Sequence, residues 1–229
     1  MKGKLIIIEG TDCSGKECQA KKLFEKLESV GKKVYRCSFP NYDTPTGKIV
    51  GGPYLGKSYI CDGWFSEKAP NVDALVASAY YAADRRYNVN EINKHLNDGY
   101  IVIIDRYVES NMAHQGGKIK DKDERLKLYK KLEMLEYEIM ELPRPNLVIF
   151  LYMPCYYTNI LKQGRGEQAD QHETSMEHLK HAEDTYLELT DIYNFTKIDC
   201  VKNGEIRTID DISDECYSIV GKLIKKENE

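Results

Sequence analysis

Five short apolar runs rich in β-branched residues punctuate the chain, at 5–9, 33–39, 100–105, 146–153 and 195–200. Ile101-Val102-Ile103-Ile104 is nearly continuous apolarity, which suits a central parallel strand covered on both faces. Between the runs, apolar positions recur with helical spacing, predicting helices over 16–30, 44–57, 72–97, 122–141, 174–193 and 209–225. Gly31 and Gly99 stand where helix C-caps belong, and Pro143 and Pro145 part the fourth of these helices from the next strand. Alternating strands and helices predict an α/β fold, a doubly wound five-stranded parallel sheet with helices on both faces. Ligands of such sheets sit at the carboxyl ends of the strands. No repeat, low-complexity tract or long linker divides residues 1–229, so a single domain is expected.

Composition narrows the partners. With 229 residues, 41% hydrophobic and 31% charged, the chain can bury one good core. A net charge of −4 argues against a sheath for nucleic acid, leaving room for a locally positive cleft that takes a small anion. Seven cysteines lack the close pairing of zinc knuckles and are too sparse for a disulfide scaffold, so reduced thiols are expected. Met1-Lys2-Gly3-Lys4 runs straight into a strand with no apolar leader, and nothing approaches the roughly 20 apolar residues of a membrane span. The expectation is a cytoplasmic protein with neither nucleic acid nor membrane as partner.

The first strand runs into Gly10-Thr11-Asp12-Cys13-Ser14-Gly15-Lys16-Glu17, followed by Cys18. This is the phosphate-loop pattern G-x-x-x-x-G-K in all but its last position, where Ser or Thr would offer a hydroxyl to Mg²⁺. Backbone N–H groups of such a turn converge on phosphate oxygens, the helix dipole adds positive potential, and Lys16 reaches the outer phosphates. Glu17 either lends a carboxylate to Mg²⁺ or leaves the metal to Asp105, water and phosphate. Asp105, at the end of the third strand, suits a Walker-B carboxylate, and Arg106 beside it can grip a phosphate with two N–H groups. Asn111 and Gln115, four apart, share one side of a helical turn and suit a nucleobase edge. Tyr81 and Arg85 are likewise one turn apart, as a stacking surface beside a donor, or with Tyr81 simply in the core. The polar, Gly-containing stretch before residue 174 suits a lid.

Together these segments resemble the thymidylate kinase family of nucleoside monophosphate kinases. The resemblance rests on the loop, Phe39-Pro40, Gly47, Ala82-Ala83-Asp84-Arg85, and above all Asp105-Arg106-Tyr107-x-x-Ser110-Asn111-x-Ala113-x-Gln115-Gly116. It implies a P-loop NTPase fold with a lid at about 155–173, ATP and Mg²⁺ as cofactors, and phosphorylation of dTMP to dTDP by a homodimer. It casts Gly10 and Cys13 to Cys18 as the donor cradle, Asp12 as contact to the sugar 3′-hydroxyl, and Phe39 and Pro40 as acceptor-site walls. Tyr81 would stack on thymine, Arg85 would donate to its O4, and Asn111 and Gln115 would line its edge. Arg106 would clamp the acceptor phosphate, with Asp105 or Glu17 for the metal. His114 stands where relatives carry Tyr near the sugar 2′ position, either to exclude ribose or as a packed ring. Cys13 replaces a loop arginine of some members, which shifts the catalytic cation to the lid. Arg165 is the candidate and Lys162 the second, with Asp170 and Glu173 as the acidic pair behind them. Tyr42 replaces an acceptor-binding arginine, so binding should lean harder on Arg106 and Arg85. A kinase for another deoxynucleotide or a nucleoside, or a nucleotide-binding regulator without turnover, would share most of these features.

Overall fold

A computed structural model describes residues 2–162 and 176–225. Strands β1 (Lys4–Gly10), β2 (Val34–Ser38), β3 (Ile101–Asp105), β4 (Leu147–Tyr152) and β5 (Thr196–Asp199) form one parallel sheet in the order β2-β3-β1-β4-β5. Every pairing in it is parallel, with Ile8 beside Asp105 in β3 and beside Ile149 in β4. Because successive strand residues point to opposite faces, the apolar runs feed two separate cores. Leu5 and Ile7 join Val102, Ile104 and Phe150 on one face, and Ile6 and Ile8 join Ile103, Ile149 and Leu151 on the other.

The first face is covered by α3 (Ala74–Asn97), α4 (Val108–Gly116), α5 (Lys122–Glu133) and α7 (Met176–Tyr193), which contribute Val89, Met112, Leu132 and Tyr186 among others. The second is covered by α1 (Lys16–Ser29) and α8 (Ile209–Lys225), through Leu23, Leu27, Cys216 and Val220. The chain winds outward to β2 and then back across to β4 and β5, so the winding direction reverses at β1. A crevice outside the carboxyl end of β1 is the geometric consequence. Gly31 and Gly99 end α1 and α3 in left-handed conformation, with φ of 77° and 79°. Each carries the paired bonds of a Schellman cap, such as Lys32 N–H to the Leu27 carbonyl and Gly31 N–H to the Glu28 carbonyl.

Four features differ from the sequence expectation. The helix expected over 44–57 is only α2 (Pro45–Ile49), followed by a π-turn at Val50–Tyr54. Gly51, Gly52 and Pro53 lie in that turn, and proline cannot supply the N–H that a continued α-helix needs. The helix expected over 122–141 changes from α5 to a π-helical stretch at Met134–Ile139. The segment that opens the expected lid is a helix, α6 (Cys155–Lys162), and Arg165, Asp170 and Glu173 lie outside the described residues, as does the Lys162 side chain. A hairpin of β6 (Val201–Lys202) and β7 (Glu205–Ile206) follows β5, turning through Asn203 and Gly204, both at positive φ. Among the described residues no helix is long and apolar enough to cross a membrane.

Candidate active site

A cleft of about 410 Å³ opens over the carboxyl ends of β1 and β3, lined by Asp12, Glu17, Phe39, Tyr81, Arg106 and Gln115 among others. Its floor is the loop between β1 and α1. Thr11 ties that loop to the end of β4, its hydroxyl donating to the Met153 carbonyl at 2.6 Å and accepting from Met153 N–H at 2.9 Å. Thr158 of α6 donates to the Asp12 carbonyl at 3.1 Å. Cys13 and Gly15 both take positive φ, 58° and 80°, which curls the loop into a cup. Gly10 has no space for a side chain, since a Cβ would sit 2.7 Å from the Leu151 carbonyl oxygen. No side chain caps α1 at Gly15, and the Ser14 hydroxyl is buried with no partner. The cup therefore offers the donor set a phosphate requires.

Lys16 lies buried at the rim, with Nζ donating to the Thr11 carbonyl at 2.9 Å. Burial lowers its ammonium to about 8, Arg106 pushes the same way, and Asp12, Asp105 and Glu9 oppose them. A group with that value in the free protein predicts an alkaline limb. kcat/KM for the phosphate donor is expected to fall about tenfold per pH unit above about 8, whereas kcat should hold to higher pH because bound phosphate keeps the proton on Lys16. A pH–rate profile flat to 9.5 would contradict this.

Asp105 closes β3 with Oδ1 buried and unpartnered. Burial raises its pKa, Lys16 and Arg106 restrain the rise, and Glu9 and Glu17 add to it. An unsatisfied buried carboxylate oxygen with a second carboxylate, Glu17, lining the same cleft is a donor set that fits a hard cation such as Mg²⁺. Arg106 takes φ of 64°, a conformation costly for any residue with a Cβ. Its guanidinium reaches Asp12 Oδ1 at 3.4 Å and His114 Nε2 at 3.5 Å. Burial opposes its charge, yet Tyr186, Asp12, Asp105 and Glu9 raise its pKa overall, so it stays cationic.

The far wall comes from α3 and α4. Glu9 seats α4 from beneath: fully buried, it accepts from Tyr107 N–H (2.7 Å), Ser110 N–H (3.1 Å), the Ser110 hydroxyl (2.6 Å) and the Tyr186 hydroxyl (2.8 Å). A carboxylate at a helix N-terminus whose own N-cap, Tyr107, supplies no bond does the capping in its place. That fixes Asn111 and Gln115 on the cleft. Both Gln115 amide atoms and Asn111 Oδ1 are buried without partners there. Tyr81 lines the same wall, packed edge-on to Tyr54 at 5.7 Å between ring centroids. His114 stacks on His178 at 5.4 Å, with Nδ1 3.2 Å from His178 Nε2. Phe39 and Pro40 line the cleft at the end of β2, and Asp84 holds the turn after them by accepting from Asn41 N–H at 2.8 Å and the Thr46 hydroxyl at 2.9 Å.

Two placements revise the sequence reading. Arg85 is almost fully buried and already committed, its Nε donating to Glu136 Oε2 at 2.8 Å, its second terminal nitrogen to Glu136 Oε1, and NH1 to the Tyr107 carbonyl at 3.2 Å. It lines the cleft with fewer N–H groups than a free side chain would bring, so it is ill placed to take over from the arginine absent at position 42. The cation near Tyr42 is Lys57, whose Nζ lies 5.3 Å from the Tyr42 ring centroid on the cleft wall. Glu9, Glu136 and Lys57 were not singled out by sequence reasoning, and Asp84 entered it only within the Ala82-Ala83-Asp84-Arg85 string. Burial pushes the thiols of Cys37, Cys155, Cys200 and Cys216 up to about 12, which leaves them unreactive at neutral pH.

The sequence model of the family described as thymidylate kinase matches residues 8–208, most of the chain. The chain belongs to the thymidylate kinase family. Thymidylate kinase of Homo sapiens is 30% identical over 66% of the chain and 62% of the human protein. That of Brachyspira hyodysenteriae is 32% identical over 67% of the chain and 64% of its own length, so both matches span less than two thirds of these relatives. Among solved structures, thymidylate kinase from Candida albicans superposes with a TM-score of 0.73 at 24% identity, over 97% of this chain and 92% of that one, and shares its fold.

Proposed function

We propose that the protein transfers the terminal phosphoryl group of ATP to the 5′-phosphate of dTMP, giving ADP and dTDP, with Mg²⁺. The observation that carries this reading is the buried, unpartnered amide of Gln115 beside the unpartnered Oδ1 of Asn111, a few residues along α4 from the cationic Arg106. Unpartnered buried amides are costly unless a ligand satisfies them, and a base edge carries matching donors and acceptors. Tyr81 would stack on that base, Asp12 and His114 would face the sugar, and Arg106 would hold the acceptor phosphate. The loop from Gly10 to Cys18 would cradle the donor phosphates.

Asp105, with Glu17 or alone, would hold Mg²⁺, which when bound shields phosphate charge. The chain's own contribution is alignment and charge. Lys16 and Arg106 oppose negative charge on the transferring group, and the cleft keeps acceptor and donor in line. Family relationship and the exposed apolar side chains of α2 and α3, Ile49, Leu75, Val76 and Tyr87, support a homodimer, which sedimentation at micromolar concentration would test.

Coupled ADP release measured across all natural nucleoside monophosphates and nucleosides tests the acceptor. The expected result is strong preference for dTMP with an absolute requirement for Mg²⁺. Preference for dGMP or thymidine would replace the acceptor, and tight ATP binding without product would replace catalysis by regulation.

A further inference from the structure

Glu136 has no part in the chemistry described so far, yet it sits fully buried behind the base wall. It lies in the π-helical stretch Met134–Ile139, and such wide turns occur often at functional sites. Both of its oxygens are in use. Oε1 and Oε2 take the two-pronged contact from Arg85, and Oε1 also accepts from Asn111 Nδ2 at 2.8 Å. The Ser78 carbonyl accepts from the same Nδ2 at 3.3 Å. A carboxylate paired with a guanidinium and a backbone carbonyl are acceptors only. The Asn111 amide therefore has one permissible orientation, with its NH₂ towards Glu136 and Ser78. Its Oδ1 is left buried and unpartnered in a residue that lines the cleft. Turning the amide over would set its oxygen against two acceptors.

Arg85 is oriented by the same carboxylate. Three of its five N–H groups are spent on Glu136 and the Tyr107 carbonyl, and one on each terminal nitrogen remains. The wall behind the cleft thus presents an acceptor, Asn111 Oδ1, next to donors from Arg85.

We infer that Glu136 is a positioning residue that sets base specificity. By holding the Asn111 amide with its oxygen towards the cleft, and Arg85 beside it, it selects a base edge with an imino N–H next to a carbonyl. Thymine and uracil carry that edge. Cytosine carries the reverse, an unprotonated N3 beside an amino group, and meets acceptor with acceptor and donor with donor. The inference rests on the acceptor site proposed above.

Glu136→Gln tests it, since replacing one carboxylate oxygen by NH₂ leaves too few acceptors for Arg85 Nε, the Arg85 terminal nitrogen and Asn111 Nδ2 together, and the wall loses its fixed pattern of acceptor beside donors. The expected result is a fall of about tenfold or more in the ratio of kcat/KM for dTMP to that for dCMP, with KM for ATP unchanged. A residue that only supported the fold would lower both activities together and leave the ratio where it was, and that outcome overturns the inference. Should the variant fail to fold, the wild-type protein still decides. dUMP and dCMP, which differ only in the N3–C4 edge, should inhibit unequally, dUMP at least about tenfold more strongly, and equal affinity overturns the inference. Absence of dTMP turnover by the wild-type protein would overturn the acceptor assignment and this inference with it. Failure of the inference alone leaves that turnover intact.

Discussion

Lys16→Ala is expected to lower kcat for dTMP phosphorylation by about 10²- to 10³-fold, the range for removing one preorganised donor to developing negative charge. The magnitude follows from where the cation sits. Lys16 is 7% exposed at the start of α1, so its charge acts in a poorly screened site on whatever the cup holds. Among the described residues, the lysine that lines the cleft is Lys57, beside Tyr42.

Stability should move the other way. A lysine whose pKa is lowered from 10.5 to about 8 is charged in a place that disfavours its charge. The folded state gives up that proton more readily than the unfolded chain, so wild-type stability rises with pH between about 8 and 10.5. At pH 7 both states are protonated and the burial cost is borne in full, so Lys16→Ala should melt no lower than wild type. Loss of activity without loss of Tm separates a functional lysine from a structural one. Retention of full dTMP-dependent ADP release would remove the loop from the chemistry.

The sheet was legible because its signals are local. Four-residue apolar runs mark strands covered on both faces, and the glycines that end α1 and α3 need left-handed backbone that few other residues tolerate. The cup was legible for the same reason, since its two glycines and Lys16 lie within seven residues. What escaped were the partnerships across the chain. Glu9 caps a helix about 100 residues away, Asp84 holds the turn after Pro40, and Glu136 meets Arg85 across 51 positions. Nothing in a single sequence distinguishes such a carboxylate from one on a solvated helix face.

The π-helical stretch that turns Glu136 inward has no proline or glycine to announce it. The hairpin at β6 and β7 is a different kind of miss, because Asn203-Gly204 is a strong local turn signal that the flanking two-residue strands made easy to pass over. Of the residues drawn from the family pattern, Asp12, Glu17, Phe39, Pro40, Tyr81, Arg85, Asp105, Arg106, Asn111, His114 and Gln115 line the cleft. Their supports are what sequence reading left out.

Arg106→Gln is expected to cost about 10²- to 10³-fold in kcat and, in the same protein, to shift the alkaline limb of kcat/KM to higher pH. The two effects have one cause. Arg106 stays cationic among Asp12, Asp105, Glu9 and Tyr186, and its positive charge is the second-largest influence depressing Lys16. Removing that charge makes the Lys16 ammonium easier to keep, so the limb must move up from about 8, never down. Glutamine has the same difficulty as arginine at a φ of 64°, so the backbone cost at this position is unchanged and does not confound the comparison. Arg106→Lys separates charge from geometry. It keeps the positive charge near Lys16, so the limb should stay near 8, but it cannot grip a phosphate with two parallel N–H groups and should recover only part of the lost rate. If Arg106→Gln lost activity with the limb unmoved, the coupling between the two cations would be wrong. If Arg106→Lys were fully active, Arg106 would act as a point charge and not as a fork.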